Sequence, residues 1–172
     1  MALIPPRKER VIVNGKAIHK LKDNALINFR LQHIGFVFQA YNLLPVLSAQ
    51  ENVEFIMLLQ NASAEERKIR AQELLKAVGL ETQMHKRPAK LSGGQQQRVA
   101  VARALASKPS FVLADEPTAN LDSKSTEDLL DLMHKLNQEE GITFIFPTHD
   151  QRVVDRASRI IYVEDGKIKE NH

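Results

Sequence analysis

The sequence predicts an α/β fold with a mainly parallel sheet and an inserted α-helical subdomain. Apolar strand-like runs alternate with helix-like segments in the second half of the 172-residue chain, and a helical stretch from about 40 to 90 interrupts that alternation. Alternating strands and helices form parallel sheets because each helix must carry the chain back across one face. The composition, 43% hydrophobic and 26% charged residues, is that of a globular domain.

The first quarter of the chain contains signals for a hairpin, a helix and a buried strand. Asn14-Gly15 lies between two short apolar runs and is typical of a tight turn, since both residues accept positive φ angles. The pattern predicts a helix over 23–31. The apolar run over 34–38 predicts a buried strand that ends at Gln39.

Two helices with the same start signal are predicted next. Ser48 with Glu51, and Ser63 with Glu66, form S-x-x-E capping boxes, in which hydroxyl and carboxylate satisfy the free amides of a helix start. The second helix ends at Gly79, a residue suited to the position after a helix. Its apolar stripe consists of Ile69, Leu74, Leu75 and Val78.

The second half of the chain alternates between helices and strands. Helices are predicted over 95–106, 125–138 and 151–157, and strands over 111–115, 142–146 and 159–163. An Asp165-Gly166 turn then leads to a last short strand. We therefore assign 1–39 and 96–172 to a sheet-containing core and 40–95 to the helical subdomain.

Two adjacent carboxylates, Asp115 and Glu116, follow the most apolar of these strands. Open α/β sheets bind their ligands at the carboxyl ends of strands. Adjacent side chains point to opposite sides of a strand, so the two carboxylates have separate tasks. In a nucleotide hydrolase Asp115 would hold Mg²⁺ and Glu116 would polarise the attacking water. The alternative is that Asp-Glu-Pro only ends the strand and turns the chain.

A serine and two glycines, Ser92, Gly93 and Gly94, stand at the start of the helix predicted over 95–106. The glycines allow close approach of the backbone to a ligand, and the free amides of a helix N-terminus favour a phosphate. The alternative is a flexible loop with an N-cap serine.

Three segments, in this order and spacing, resemble the ATP-binding cassette (ABC) ATPases. They are LSGGQQQRVAVARAL from Leu91, FVLADEPTANLD from Phe111, and THD from Thr148. The run that ends at Gln39 is similar to the Q-loop of that family. The segment 42–53 is similar to the exporter-type branch, which includes lipoprotein-releasing, macrolide-exporter and cell-division cassettes. The resemblance covers about 11–169 and implies a P-loop NTPase-like ABC ATPase core.

The resemblance implies a role for each matching residue. Glu116 would be the general base, His149 the switch histidine on the γ-phosphate, and Gln39 the sensor of the attacking water. Asp115 and Gln39 would contact Mg²⁺, so ATP and Mg²⁺ are the implied cofactors. A histidine after a strand is more often structural, but the position of His149 at the family spacing within 146–150 favours the switch role. Pro147 departs from the family pattern. The nucleotide contacts of the signature loop and D-loop would be Ser92, Gly93, Gly94, Gln95 and Asp122.

The sequence contains no G-x-x-x-x-G-K-[ST] phosphate loop, whose amides wrap the phosphates while lysine offsets their charge. Glycine precedes lysine only at Gly15 and Gly166. The first glycine of the motif would stand five residues before each of these, where the sequence has Arg10 and Ile161, respectively. In the family this loop follows a strand inside the sheet, so we expect a truncated core that is inactive alone. Such a core could fold in one of three ways: the sheet rearranges, another chain covers it, or the fragment is more stable than the loss of a buried strand suggests.

The loop after Gln39 is unusually apolar for a loop. Its side chains either pack beneath the helical subdomain or form a groove for a short helix of a membrane partner, as the resemblance implies. The apolar residues are Tyr41, Leu43, Leu44, Val46 and Leu47.

The predicted function is that of an ABC transporter ATP-binding subunit, in which Mg²⁺-dependent ATP hydrolysis drives export or the release of lipid or lipoprotein. The implied partners are transmembrane permease subunits and a second ATP-binding subunit in a head-to-tail dimer. They would place the chain in the cytoplasm, on the inner face of the membrane. The alternative is a non-hydrolytic module that lends its signature loop to a complete subunit. No nucleic-acid partner is expected, because the net charge is only +3 and no long coiled coil occurs.

Overall fold

The computed structural model describes residues 10–169. The chain begins with a hairpin of β1 (Ile12–Val13) and β2 (Lys16–Ala17). Its turn residues Asn14 and Gly15 have φ angles of 48° and 73°, which confirms the predicted turn. A short 3₁₀ turn follows, and α1 (Asp23–His33) then leads directly into β3 (Ile34–Val37).

Both predicted capping boxes begin helices, α2 (Ala49–Leu59) and α3 (Ala64–Ala77). Ser63 Oγ accepts from the Glu66 amide at 3.3 Å, and Glu66 Oε2 accepts from the Ser63 amide at 2.9 Å. The prediction that Ile69 belongs to the apolar stripe of α3 is wrong, since this side chain is 48% exposed. Five residues along a helix turn the side chain about 140° away from Leu74. Two 3₁₀ turns then lead to α4 (Gly93–Ala106).

The second half confirms the predicted parallel sheet. Its elements are β4 (Phe111–Ala114), α5 (Ser123–Glu140), β5 (Thr143–Ile145), α6 (Gln151–Val154), β6 (Tyr162–Glu164) and β7 (Lys167–Lys169). β3, β4 and β5 form a parallel sheet in that order, with β4 hydrogen-bonded directly to both neighbours. β6 pairs antiparallel with β7, and within residues 10–169 this hairpin does not extend the parallel sheet.

One face of the parallel sheet carries α4. A Cβ atom on Gly35 would lie 2.6 Å from the carbonyl oxygen of Ala104, so glycine at this position lets α4 approach β3 closely. On the same face Val37, Val112 and Ala114 are buried. A single hydrophobic cluster joins this face to four helices through, among others, Val53, Leu74, Val101 and Leu129. The signature-like segment at the start of α4 is therefore fixed relative to the strand ends.

The opposite face of the sheet is more open. Phe36, Phe38 and Ile145 expose 38%, 39% and 45% of their surface, and the register places Phe36 beside Leu113 and Leu113 beside Ile145. The Phe36 and Phe38 rings stack with centroids 5.8 Å apart. In the described part of the chain, none of the helices combines the length and the apolar character that a bilayer crossing requires.

Candidate functional site

The C-terminal edge of the parallel sheet gathers four of the predicted site residues. β3 leads to Gln39, β4 leads to Asp115 and Glu116, and β5 leads through three further residues to His149. The Asp115 amide donates to the carbonyl oxygen of Val37 at 2.9 Å, which extends the pairing of β3 and β4 as far as the carboxylates. Because the three strands are parallel, these residues emerge at one edge, where α/β sheets bind ligands.

Glu116 and His149 are in direct contact. His149 Nδ1 lies 3.0 Å from Glu116 Oε1, a distance at which the ring N–H donates to the carboxylate. The Glu116 side chain is 33% exposed and the His149 side chain 89% exposed, so both remain accessible to a ligand. Glu116 has a φ of 41°, a left-handed conformation that is uncommon for a residue with a side chain and is concentrated at functional sites. The sequence predicts both residues but not their contact.

Asp115 and Gln39 are exposed at the same edge. Within residues 10–169 the Asp115 carboxylate forms no hydrogen bond or salt bridge to another side chain, and no group of three or more His, Asp or Glu side chains is arranged around a common metal position. A Mg²⁺ ion that accompanies nucleotide phosphates needs only one or two protein carboxylates. The exposed carboxylate of Asp115 fits such an ion.

The signature-like segment begins α4 with a capping box. Ser92 Oγ accepts from the Gln95 amide at 3.3 Å, and Gln95 Oε1 accepts from the Ser92 amide at 3.0 Å. Ser92 is therefore an N-cap, as the structural alternative predicts. That role uses only an acceptor position of the hydroxyl, and the hydroxyl hydrogen remains available to a ligand. Both readings of this serine are compatible with the geometry.

The two glycines of this segment bring it close to other predicted elements. A Cβ on Gly93 would lie 2.9 Å from the hydroxyl oxygen of Tyr41, in the loop after Gln39. A Cβ on Gly94 would lie 3.4 Å from Ser125 Oγ at the start of α5. The N-terminus of α4 therefore lies between the loop after β3 and the loop that precedes α5.

Asp122 begins α5 as its N-cap. Its carboxylate accepts from the backbone amide of Ser125 at 2.9 Å and from the Ser125 hydroxyl at 2.8 Å. These two hydrogen bonds hold the pKa of Asp122 below its ordinary value. The structure thus gives Asp122 a capping role, and its predicted nucleotide contact stays a prediction.

The predicted residues fall into two groups. Within the described residues, no hydrogen bond or salt bridge joins Ser92 or Gln95 to the second group, which consists of Gln39, Asp115, Glu116 and His149. The first group lies at the start of α4, and the second lies at the edge of the sheet. Each group can therefore act on a different part of a ligand, or on two different ligands.

Sequence reasoning missed two polar links between the loops of this edge. Asn120 Nδ2 donates to the carbonyl oxygen of Gln39 at 2.9 Å, and Thr118 Oγ1 donates to Asp150 Oδ2 at 3.3 Å. The Arg152 side chain also bonds Asp150, and this hydrogen bond lowers the pKa of Asp150 to about 2. The only sequence signal for these links is the density of short polar side chains in the two turns.

Comparison with known proteins shows the family to which the chain belongs. The sequence profile of a family described as ABC transporter matches residues 1–119. An uncharacterized ABC transporter ATP-binding protein of Thermotoga maritima is 51% identical over 164 residues, which are 95% of this chain and 70% of that protein. The lipoprotein-releasing system ATP-binding protein LolD 1 of Rhodopseudomonas palustris is 47% identical over 167 residues, 95% of this chain and 73% of that protein.

A solved structure shows the same fold. It is the dimeric, post-hydrolysis state of the ATP-binding cassette MJ0796 of Methanocaldococcus jannaschii, bound to ADP and Pi. It superimposes with a TM-score of 0.79 at 46% identity, covering 92% of this chain and 70% of that chain. The chain belongs to the ABC transporter family and is similar throughout to its ATP-binding proteins.

Proposed function

We propose that this chain acts as an ATP-binding subunit whose two groups of site residues serve two different ATP molecules in a head-to-tail dimer. Mg²⁺-dependent hydrolysis of that ATP drives export or the release of lipid or lipoprotein. The observation that carries the proposal is the contact between Glu116 and His149 at the carboxyl edge of the sheet, 3.0 Å apart. The structural neighbour MJ0796, solved as a dimer with ADP and Pi, supports the dimeric arrangement.

The sheet edge supplies the groups that hydrolysis needs. His149 engages Oε1 of Glu116, so Oε2 is left to accept a proton from a water molecule. Asp115 would hold Mg²⁺, and Gln39 would orient the water from the end of the neighbouring strand. Bound Mg-ATP supplies the phosphoryl group and the neutralisation of its charge. The protein's part is to position the water and the base.

The start of α4 supplies the second group. Within residues 10–169 the Ser92 hydroxyl donates no hydrogen bond while its oxygen caps the helix, and the helix N-terminus favours negative charge. Gly93 and Gly94 hold this turn tightly against Tyr41 and Ser125, so the free amides are presented from a fixed position. This group would close over the γ-phosphate of an ATP bound mainly to the other subunit.

The start of α4, where the Ser92 hydroxyl accepts from the Gln95 amide and can still donate to an anion, also favours a second candidate function. In that function the chain does not hydrolyse ATP and only lends the start of α4 to a complete subunit. The lysine, the amide cradle and the surface that stacks on adenine would then all come from the partner. ATP binding by the purified chain separates the two functions: binding supports the first, and no binding supports the second.

Association with a complete cassette tests the shared part of the proposal. The chain is mixed with the M. jannaschii cassette, with and without ATP, and complex formation is followed by sedimentation. We expect ATP-dependent association that Ser92→Arg abolishes. Ser63→Arg is the matched control, because Ser63 forms the same capping box at the start of α3. The proposal is contradicted if association is the same with and without ATP, or if Ser92→Arg and Ser63→Arg weaken association equally.

A groove beside the sheet edge is the proposed contact for a permease subunit. Its volume is about 350 Å³, its lining is mainly apolar, and Phe36, Phe38, Leu44 and Phe55 contribute to it. Leu44 is exposed, whereas Leu43 packs against the hydrophobic core. The apolar loop after Gln39 therefore packs on the core through Leu43 and forms part of the groove wall through Leu44, and the binding of a membrane partner in this groove stays a prediction. A short apolar helix of a membrane-embedded partner fits such a groove.

A further inference from the structure

The segment from Gln39 to Leu47, here called the 39–47 segment, is held by side chains from three other elements. Asn120, in the loop before α5, donates to the carbonyl oxygen of Gln39 at 2.9 Å. Asn52 of α2 is fully buried, accepts from the Leu44 amide at 2.8 Å and donates to the carbonyl oxygen of Leu47 at 3.2 Å. The two ends of the segment are thus fixed to different parts of the molecule.

Arg103 of α4 holds the middle of the 39–47 segment. Its guanidinium donates from Nη2 to the carbonyl oxygen of Tyr41 at 2.7 Å and from Nη1 to that of Asn42 at 2.5 Å. Within residues 10–169 no carboxylate oxygen lies within salt-bridge distance of this guanidinium. Burial lowers the pKa of Arg103. A partly buried cation is costly unless its acceptors are well placed, and here both acceptors are backbone carbonyls of one segment.

The backbone that Arg103 holds has an unusual conformation. Tyr41 and Asn42 have φ angles of 58° and 49°, so two consecutive residues with side chains are left-handed. Asparagine tolerates this region, but tyrosine does not favour it. The Tyr41 side chain reaches back to the start of α4, where its hydroxyl lies 2.9 Å from the Cβ position of Gly93. The same helix therefore contacts the segment twice, through Arg103 and through Gly93.

We propose that Arg103 is a positioning residue that ties the 39–47 segment to the signature helix α4. The two hydrogen bonds of its planar guanidinium keep Tyr41 and Asn42 in the left-handed conformation. This conformation fixes the position of Gln39, which precedes them, and of Leu44 in the groove wall, which follows them. Arg103 also lines the groove, so an occupant of the groove acts on the same guanidinium that holds the segment. The role of Gln39 in catalysis rests on the proposed function. The hydrogen bonds by which Arg103 holds the 39–47 segment do not depend on that function.

Amide hydrogen exchange of the purified chain tests whether Arg103 holds the 39–47 segment in place. In Arg103→Met the amides of 40–47 should exchange about tenfold faster, the effect of losing a charge-assisted hydrogen bond, while core amides of α4 and β4 keep their rates. Arg98→Met is the matched control. It lies on the same helix, and its partners are Val78 and Asp128, not the 39–47 segment. Arg103→Lys keeps the charge but not the fork, so its rate should fall between those of the native chain and Arg103→Met.

Tyrosine fluorescence gives a second readout. The chain contains two tyrosines and no tryptophan, so Tyr162→Phe leaves Tyr41 as the only emitter. In that background Arg103→Met should raise iodide quenching of Tyr41 about twofold, because a half-buried ring becomes freely accessible, and Arg98→Met should not. Unchanged exchange at 40–47, equal acceleration in the whole domain, or equal effects of the two methionine variants would overturn the proposal. If Arg103→Met does not fold, the comparison of Arg103→Lys with Arg98→Lys decides in the same way.

The failure of this inference is distinguishable from the failure of the proposed function. ATP-dependent association with the M. jannaschii cassette should weaken about tenfold in Arg103→Met and stay unchanged in Arg98→Met, since loss of one such hydrogen bond corresponds to that ratio. If the native chain shows no ATP-dependent association, the proposed function fails, and local exchange still decides whether Arg103 holds the segment. If association persists unchanged in Arg103→Met although the amides of 40–47 exchange faster, Arg103 holds the segment, and its role as a positioning residue for the site is refuted.

Discussion

Replacing Gly35 with alanine should be one of the most destabilising single-methyl changes in the protein. The added Cβ would lie 2.6 Å from the carbonyl oxygen of Ala104 and 2.9 Å from Cγ2 of Val112. A relaxed carbon–oxygen contact is about 3.3 Å or longer, so α4 must move by roughly 0.7 Å. The obstacle is helix backbone and a buried side chain, neither of which can swing away. We expect a loss near the upper end of overpacking costs, about 3 kcal/mol.

Thermal unfolding measured by circular dichroism checks this magnitude. For a chain of this size about 3 kcal/mol corresponds to a fall in Tm of roughly 6–12 °C. Gly94→Ala is the control, because its Cβ would meet Ser125 Oγ at 3.4 Å, and alanine is the better helix former. A Tm for Gly35→Ala within about 2 °C of that of Gly94→Ala would show that α4 does not rest on β3 as described.

Three further predictions concern single side chains. Asp150→Asn should cost about 1 kcal/mol at pH 7, a figure reduced because Arg152 is partly exposed. The depressed pKa of Asp150 means that this penalty is full above about pH 4 and fades as the pH falls towards 2, measured by urea unfolding across that range. Asn52→Leu should lower stability by about 2 kcal/mol, seen as a lower urea midpoint, because it removes the hydrogen-bond partner of the partly buried Leu44 amide and Leu47 carbonyl. Leu44→Ser should reduce co-purification with a permease partner without a large loss of Tm, and the reverse result would assign Leu44 to the core.

The elements that could be predicted from the sequence are those with local causes. Asn14-Gly15 fixes its turn through backbone preference alone, and the capping boxes at Ser48 and Ser63 begin helices through contacts three residues apart. Strand pairing has no such local cause. Apolar character alone predicts that Ile69 is buried, whereas its angular position on α3 turns the side chain towards solvent.

The contacts that organise the candidate site lie beyond sequence reasoning for a physical reason. Arg103 and Tyr41 are 62 residues apart, and Asn120 and Gln39 are 81 residues apart. Nothing in the local pattern distinguishes an arginine that bonds a distant carbonyl from one that faces solvent. The left-handed conformations of Tyr41 and Glu116 are equally invisible, because neither residue type predicts a positive φ.

The same physics explains why the sequence left a structural and a functional reading open at each site. A helix start needs an acceptor for its free amides, and the residues that supply one also suit phosphate binding. Ser92 and Asp122 both cap helices, yet only Ser92 keeps a donor hydrogen that is free for an anion. The carboxylate of Asp122 has no proton to donate, and its depressed pKa keeps it negative. Phosphate oxygens therefore suit Ser92 as a direct contact and do not suit Asp122, whose carboxylate is better matched to an amide or a cation.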